Sequence, residues 1–443
     1  DQSLTFNLMN NNKASFSKEL FFPIINNIKS KKFDEALVLL DKLSDQNLDI
    51  VNNFKGLIYI NKKDWEKSLF YYQKISNGEK NFEVLNNIGF ALSKLGKFSE
   101  ASIKYTQSID HNKTFIPAYE NLVSSYKLIG NYDLSIKYIL QGLDLMPENQ
   151  KLKNHLIDIF SYHQPKIYQN VIININHLIK KLDTIKRNDI LIQNSLIKNI
   201  LEKSEEILRD NKDTTFNYPE TQIFRRNKTR LHCVRQLGIF NKYKIIPKFC
   251  FSCYKVQITL TNVLDLIKIY FYFNDLYLEK NNIRKCMIEF RENVSGNYKG
   301  YIYASSINEA KNIKQIITNN LINREINYEK IAIKHGCTEY YDQFELYKNI
   351  DEDITDRVYQ KEWDNIEKEF DRDNLIKENI KEKVFDNTLN KFCLPDFLII
   401  KNWLLYAKII KDNSINKVFK FDIKTNHLSK IAIKKIQLRS SNN

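Results

Sequence analysis

Residues 82–115 read FEVLNNIGFALSKLGKFSEASIKYTQSIDHNKTF, and residues 116–149 read IPAYENLVSSYKLIGNYDLSIKYILQGLDLMPEN. Laid one over the other, the two stretches agree at the places where packing is tightest. The aromatics Phe98 and Tyr132 coincide, each followed three residues later by a small residue, Ala101 or Ser135. Gly96 and Gly130 coincide in the turn before them, and Pro147 closes the second stretch. Working towards the N-terminus, Trp65 with Ser68 and Phe33 with Ala36 continue the series, and Gly56 answers Gly89, with Val123 in the next equivalent place.

A period of this length is the mark of a stacked array. Each period predicts a helix, a turn and a second helix. The first helix needs a small residue where the second crosses it closely, hence Gly56 and Gly89. Ala36, Ser68, Ala101 and Ser135 serve the same end on the second helix. Gly96 and Gly130 suit a turn that demands positive φ. One hairpin cannot bury its apolar face alone, so the hairpins stack.

This pattern resembles the tetratricopeptide repeat over about residues 16–150, with units at 49–81, 82–115 and 116–149 and a degenerate unit at 17–48. It departs from the family where Asn52 and Leu85 stand at the first-helix position that is aromatic only as Tyr119. The resemblance implies a concave surface that holds a protein or peptide partner. The candidate groove residues are Asn53, Asn86, Asn87, Asn121 and Ser125, since an Asn side chain both donates to and accepts from a peptide main chain.

Beyond the repeats, residues 151–163 are expected to form a capping helix, with Pro165 as its stop. Residues 166–209 have the periodicity of two more helices, and the polar stretch 210–222 is the expected domain boundary. Residues 249–345 then alternate strand, helix, strand, strand, helix, strand. The hairpin turn is expected at Ser295-Gly296-Asn297, and Ser306 or Asn308 is the expected N-cap of the second helix. This is the βαββαβ order of the ferredoxin-like split βαβ arrangement. The expected fold is therefore multidomain: an all-α repeat solenoid followed by an α+β domain. The expected divisions are 16–165, 166–222, 223–348 and 349–443. The last of these comprises an acidic exposed helix around 351–373, a buried helix at 396–411 and a basic hairpin or tail.

Composition bounds the function. Of 443 residues, 68 are Lys or Arg and 53 are Asp or Glu, a net charge of +15. The first 150 residues contribute only +1; residues 151–350 contribute +12, 351–400 contribute −6 and 401–443 contribute +8. An apolar content of 43% excludes wholesale disorder. No stretch is long and apolar enough to span a bilayer. Six cysteines are too few for a disulfide scaffold, and with no visible leader the chain is expected in the reducing cytoplasm. It begins at Asp1 without a methionine, so a preceding segment is expected. There is no Walker A motif, no dinucleotide-binding glycine motif, no nucleophile elbow and no HExxH zinc motif.

Two candidate chemical sites remain. Residues 224–248 hold Arg225, Arg226, Arg230 and Arg235 without an acid, interleaved with Phe224, Phe240 and Tyr243. Such a strip suits an anionic ligand or nucleic acid, or docks on the acidic 351–373 segment of the same chain. Cys250 and Cys253 form a CxxC at the start of the first strand of the α+β domain. With that strand between the third and fourth, Cys337 falls at the same rim. Cys233 and His232 are brought over by a loop, and His335 lies beside Cys337. Four thiolates, Cys233, Cys250, Cys253 and Cys337, suit zinc or an iron–sulfur cluster, with His232 and His335 as neighbouring or alternative ligands. In that reading the first and third strands run one way and the second and fourth the other, with Cys286 at the far end. Three functions are consistent with these residues. One is an interaction scaffold with a second, metal-stapled binding module. Another is a thiol- or metal-dependent enzyme or maturation factor acting on a substrate held by the repeats. The third is a nucleic-acid-binding protein.

Overall fold

The structure is a computed structural model. It describes residues 18–43, 48–166, 169–182, 192–211, 215–227, 231, 233–291, 294–337, 344, 358–373, 387–417 and 433–434. The expected C-terminal hairpin, Arg230 and His232 lie outside the described residues. The chain divides into two compact units, Asp1–Tyr126 and Lys127–Asn443.

The first unit is built of antiparallel helix pairs: α1 (Lys18–Lys29) with α2 (Phe33–Asp41), α3 (Leu48–Asn61) with α4 (Trp65–Gln73), and α5 (Phe82–Lys94) with α6 (Phe98–His111). It ends within α7 (Ile116–Leu128). Polar caps start the helices. Asp64 accepts from Lys67 N at 3.1 Å, and Asn81 accepts from Glu83 N at 2.9 Å and Val84 N at 3.1 Å. Inside each pair the expected glycine is required. A Cβ on Gly56 would lie 2.8 Å from the Tyr72 ring, and one on Gly89 would lie 2.7 Å from the Tyr105 ring. Both rings are buried. Ser68 Oγ donates to Gly56 O at 3.0 Å, tying the small residue of α4 to the close approach on α3. Gly96 has φ +79° in the turn between α5 and α6, whereas Lys31 and Lys63 adopt φ +60° in the two earlier turns. The N-terminal core joins Phe21, Ile24, Ala36, Leu40, Val51, Phe54 and Ile58.

The second unit opens with α8 (Tyr132–Leu145), α9 (Gln150–Ile159), α10 (Val171–Lys181) and α11 (Asn194–Asp210). An α+β region follows: β1 (Gln222–Arg225), α12 (Cys233–Tyr243), β2 (Tyr254–Leu260), α13 (Val263–Asp275), β3 (Arg284–Ile288), β4 (Tyr298–Ala304), α14 (Ile307–Asn323) and β5 (Tyr328–His335). After it come α15 (Trp363–Asp373) and α16 (Leu394–Ile409). The five strands form one antiparallel sheet in the order β1-β3-β4-β2-β5. The β3–β4 hairpin turns through Gly296 at φ +75°, and Ser306 Oγ caps α14 by accepting from Glu309 N.

The sheet departs from expectation in two ways. It has a fifth strand, β1, paired with β3 inside what read as a basic strip. The strand directions also differ. β2 is antiparallel to both β4 and β5, so β2 shares its direction with β3, and β4 with β5. The reason is mechanical. A helical crossover brings the chain back in its starting direction, and only the tight β3–β4 turn reverses it.

Helices α13 and α14 pack on the face carrying Val256, Ile258 and Leu260; Ile269 and Phe273 lie where a side chain at Gly300 would project. Alternation places Lys255, Gln257 and Thr259 of β2 on the other face; Tyr301 and Lys299 of β4 lie opposite Gln257 and Thr259, and Lys285 of β3 lies opposite Tyr301. All seven residues of β2 are buried, so both of its faces are covered. The acidic helix α15 is not simply exposed: Trp363, Glu367 and Phe370 are buried, and the two aromatics join a cluster with Ile239, Phe240, Ile245, Ile246 and Cys250. Among the described residues no helix is long and apolar enough to cross a membrane.

Candidate functional site

The first helices of successive repeats carry the candidate groove. Asn121 Nδ2 on α7 donates to Asn86 Oδ1 on α5 at 3.0 Å, linking two repeats. That bond leaves the Asn86 amide nitrogen and the Asn121 amide oxygen for another partner. Asn53 and Asn121 are half-buried, while Asn86 and Ser125 are buried. Asn87 turns away, donating to the Tyr72 hydroxyl at 3.2 Å, and so belongs to the packing between repeats.

The thiols gather only in part. Gly336 N donates to Cys253 O at 2.9 Å, which brings the start of β2 and the end of β5 to one rim. The charges of Cys233, Cys253 and Cys337 all act on the half-buried Tyr303, and those of Cys337 and Cys233 act on Cys253. Burial, with Cys337 and Cys233 adding, pushes the Cys253 thiol up to about 12, so it is held protonated at neutral pH. Cys250 sits on a 3-10 turn after Pro247, not on the strand, and is buried in the α12–α15 cluster. Cys286 lies in the middle of β3, opposite Gly300. The His335 ring is buried against Tyr254 at 4.5 Å and is pushed down to about 4 by that burial. Among the described residues, no three or more Cys, His, Asp or Glu side chains are placed to hold one metal ion.

The arginines have separate environments. Arg225, on β1, is buried and forms a bidentate pair with Asp396 on α16, at 3.3 Å and 2.9 Å; the Tyr270 hydroxyl also donates to Asp396 at 2.9 Å. Arg235, on α12, grips α15, meeting Asp371 at 2.6 Å and 2.8 Å and Glu367 at 2.9 Å. Part of the basic strip therefore docks on the acidic segment of the same chain. Arg226 behaves differently. Its guanidinium lies 4.2 Å from the Phe224 ring centre and 3.4 Å from the Tyr162 hydroxyl, with no carboxylate partner among the described residues.

Arg226 opens onto a cavity of about 270 Å³ in the second unit, which the sequence reading missed. Its wall includes Lys127, Tyr132, Asp158, Tyr162, Tyr218 and Glu220. Asp158 accepts from Lys127 Nζ at 2.7 Å and from the Tyr218 hydroxyl at 2.6 Å. Strand β1 forms another wall, and Thr388 holds its end: Thr388 N donates to Arg226 O at 3.1 Å, and Arg226 N donates to Thr388 Oγ1 at 2.7 Å. The signal in the sequence was slight. Tyr218-Pro219-Glu220 sits in the stretch that read as a linker, and a single aromatic–proline–acid triplet has no chemistry of its own.

Residues 116–149 match the sequence profile of the tetratricopeptide repeat family. No curated protein matches the chain. Among solved structures, the chain is similar to the TPR domain of Arabidopsis OM64, with 21% identity over 24% of this chain and 90% of that one and a TM-score of 0.24. It is similar to the second TPR domain of human RPAP3, solved with an HSP70 peptide, with 19% identity over 25% of this chain and 94% of that one and a TM-score of 0.25. It is also similar to MamA, with 13% identity over 43% of this chain and 96% of that one and a TM-score of 0.30. The hairpin at 116–149 is thus a tetratricopeptide repeat, and those at 49–81 and 82–115 are built on the same plan.

Proposed function

We propose that the chain is a protein-interaction scaffold whose repeats hold an extended peptide segment of a partner. The observation that carries this reading is the Asn86–Asn121 bond between two first helices, within an array whose hairpin at 116–149 matches the tetratricopeptide profile. The pair has one amide nitrogen and one amide oxygen left over, the two groups that a peptide main chain complements. The absence of recognised catalytic motifs from the sequence is consistent with a recruiting role.

The test is a peptide array probed with the full chain, followed by titration calorimetry on the best binders. Binding peptides should lose about tenfold or more in affinity to the Asn86→Ala and Asn121→Ala variants, a change of about 1.4 kcal/mol. If no peptide binds, or if both variants bind as the parent does, the groove reading is wrong.

A further inference from the structure

Six charged side chains line the cavity of the second unit: Lys127, Arg225 and Arg226 against Asp158, Glu220 and Asp396. The protein itself matches four of them, Lys127 to Asp158 at 2.7 Å and Arg225 to Asp396 at 2.9 Å. Arg226 and Glu220 remain. Arg226 is half-buried and is fixed in place by the Phe224 ring and the Tyr162 hydroxyl. Glu220 is exposed at the wall, and among the described residues its carboxylate meets no hydrogen-bond donor. The residue as a whole is exposed, but partial desolvation of its carboxyl in the cavity wall, and then the charge of Asp158, raise its pKa, while Lys127 and Arg226 oppose the rise.

A wall that is neutral in sum, but has one cation and one anion outside any ion pair among the described residues, suits a ligand with one charge of each sign. A simple anion at Arg226 would leave Glu220 facing added negative charge. A simple cation at Glu220 would face Arg226. The volume, about 270 Å³, lies below the ~300–1,000 Å³ of pockets that take drug-sized ligands, so the occupant is small. The Tyr132 and Tyr162 rings stack on each other 6.0 Å apart and supply an apolar surface beside the charges.

We propose that this cavity binds a free α-amino acid as its zwitterion, with the carboxylate on Arg226, the ammonium group on Glu220 and the side chain against Tyr132 and Tyr162. Guanidinium and carboxylate fit as a two-pronged pair. The Lys127–Asp158–Tyr218 network, in which Lys127 also meets His155 Nδ1 at 3.1 Å, supplies a firm support rather than a ligand contact. The cavity is lined by residues of the second unit, whereas Asn86 and Asn121 belong to the first, so the two readings stand or fall independently.

The experiment uses the full chain and the proteinogenic amino acids, each offered singly at about 10 mM in a thermal-shift screen, with calorimetry on those that stabilise it. At least one is expected to bind. Its N-acetyl and carboxamide derivatives should each bind about tenfold more weakly or worse, as should the parent amino acid to Arg226→Gln and Glu220→Gln variants. Asn86→Ala should leave this binding unchanged. The proposal is overturned if no amino acid binds, if both capped derivatives bind as well as the parent, or if neither charge variant weakens binding. Should a variant fail to fold, the capped-ligand comparison on the unaltered protein decides the matter.

Discussion

Asp396 shows how much one side chain can anchor. It faces the buried Arg225 guanidinium, accepts from the Tyr270 hydroxyl, and receives Cys393 N at 3.3 Å. Both charged partners are almost wholly excluded from solvent. Removing the negative charge would strand a buried guanidinium, which is costly because arginine cannot shed its proton. Asp396→Asn should therefore lower stability by about 3–5 kcal/mol in urea unfolding. A loss below about 1 kcal/mol would show that water reaches the pair. Lys285 offers a pH test. Burial first, and then Arg291, push its pKa down to about 8 from the ordinary 10.5, with Glu289 opposing. Between those two values the unfolded chain holds a proton that the folded chain has lost, so this group makes stability rise with pH across that window. Below it the fold bears the whole penalty. Lys285→Met should thus be more stable than the parent at about pH 7, by on the order of 1–3 kcal/mol, and the gain should vanish towards about pH 10.5. Parallel denaturant titrations at the two pH values decide it. The buried pair was not legible in the sequence, where Arg225 read as part of a strip for an anionic ligand or for the acidic segment, and Lys285 read as one more cation of a basic half. Asp396, the partner that defines Arg225, lies 171 positions along the chain, and Lys285 is covered only because β3 pairs with β1 and β4.

At the scale of the element, the repeats were the most legible part of the chain. A glycine that must admit a tyrosine ring, and a small residue three positions after an aromatic, recur at a fixed interval, and recurrence multiplies a weak local signal. Gly89→Ala should cost about 1–3 kcal/mol, because the added methyl would overlap a buried ring with no room to move. Circular dichroism with urea titration measures it, and an unchanged midpoint would mean that Tyr105 can swing aside. Strand β1 was illegible for the opposite reason. It has four residues, too few to establish alternation, and only its pairing with β3 makes it a strand. Helix α15 was half legible. Its charges predicted i,i+4 pairing, and Lys368 does meet Asp364 at 2.5 Å. Its buried Trp363 and Phe370 face α12, whose apolar side could not be matched to them from sequence alone. The cavity was invisible, since its wall draws on α7, α8, α9, the segment before β1, β1 itself and α16, and no stretch of any of them signals it.

For the molecule as a whole, the three tryptophans are usefully divided. Trp65 belongs to the first compact unit, and Trp363 and Trp403 belong to the second. Cohesion in the first comes from stacked neighbours and in the second from a sheet and its helices, so the two should not melt together. Fluorescence of a Trp65→Phe variant should follow the second unit, and that of a Trp363→Phe/Trp403→Phe variant should follow the first. Distinct midpoints in urea are expected; coincident ones, with equal slopes, would mean a single cooperative block.

The span of the Arg225–Asp396 pair has a consequence for birth rather than for the finished molecule. The two residues are 171 positions apart, whereas the Asn86–Asn121 bond closes over 35. A nascent chain emerging at about 5–20 residues per second completes the shorter link within seconds, but leaves Arg225 without its counter-ion for about 10–30 s. During translation, then, the helical hairpins can set while the strand that follows them waits for a carboxylate still inside the ribosome.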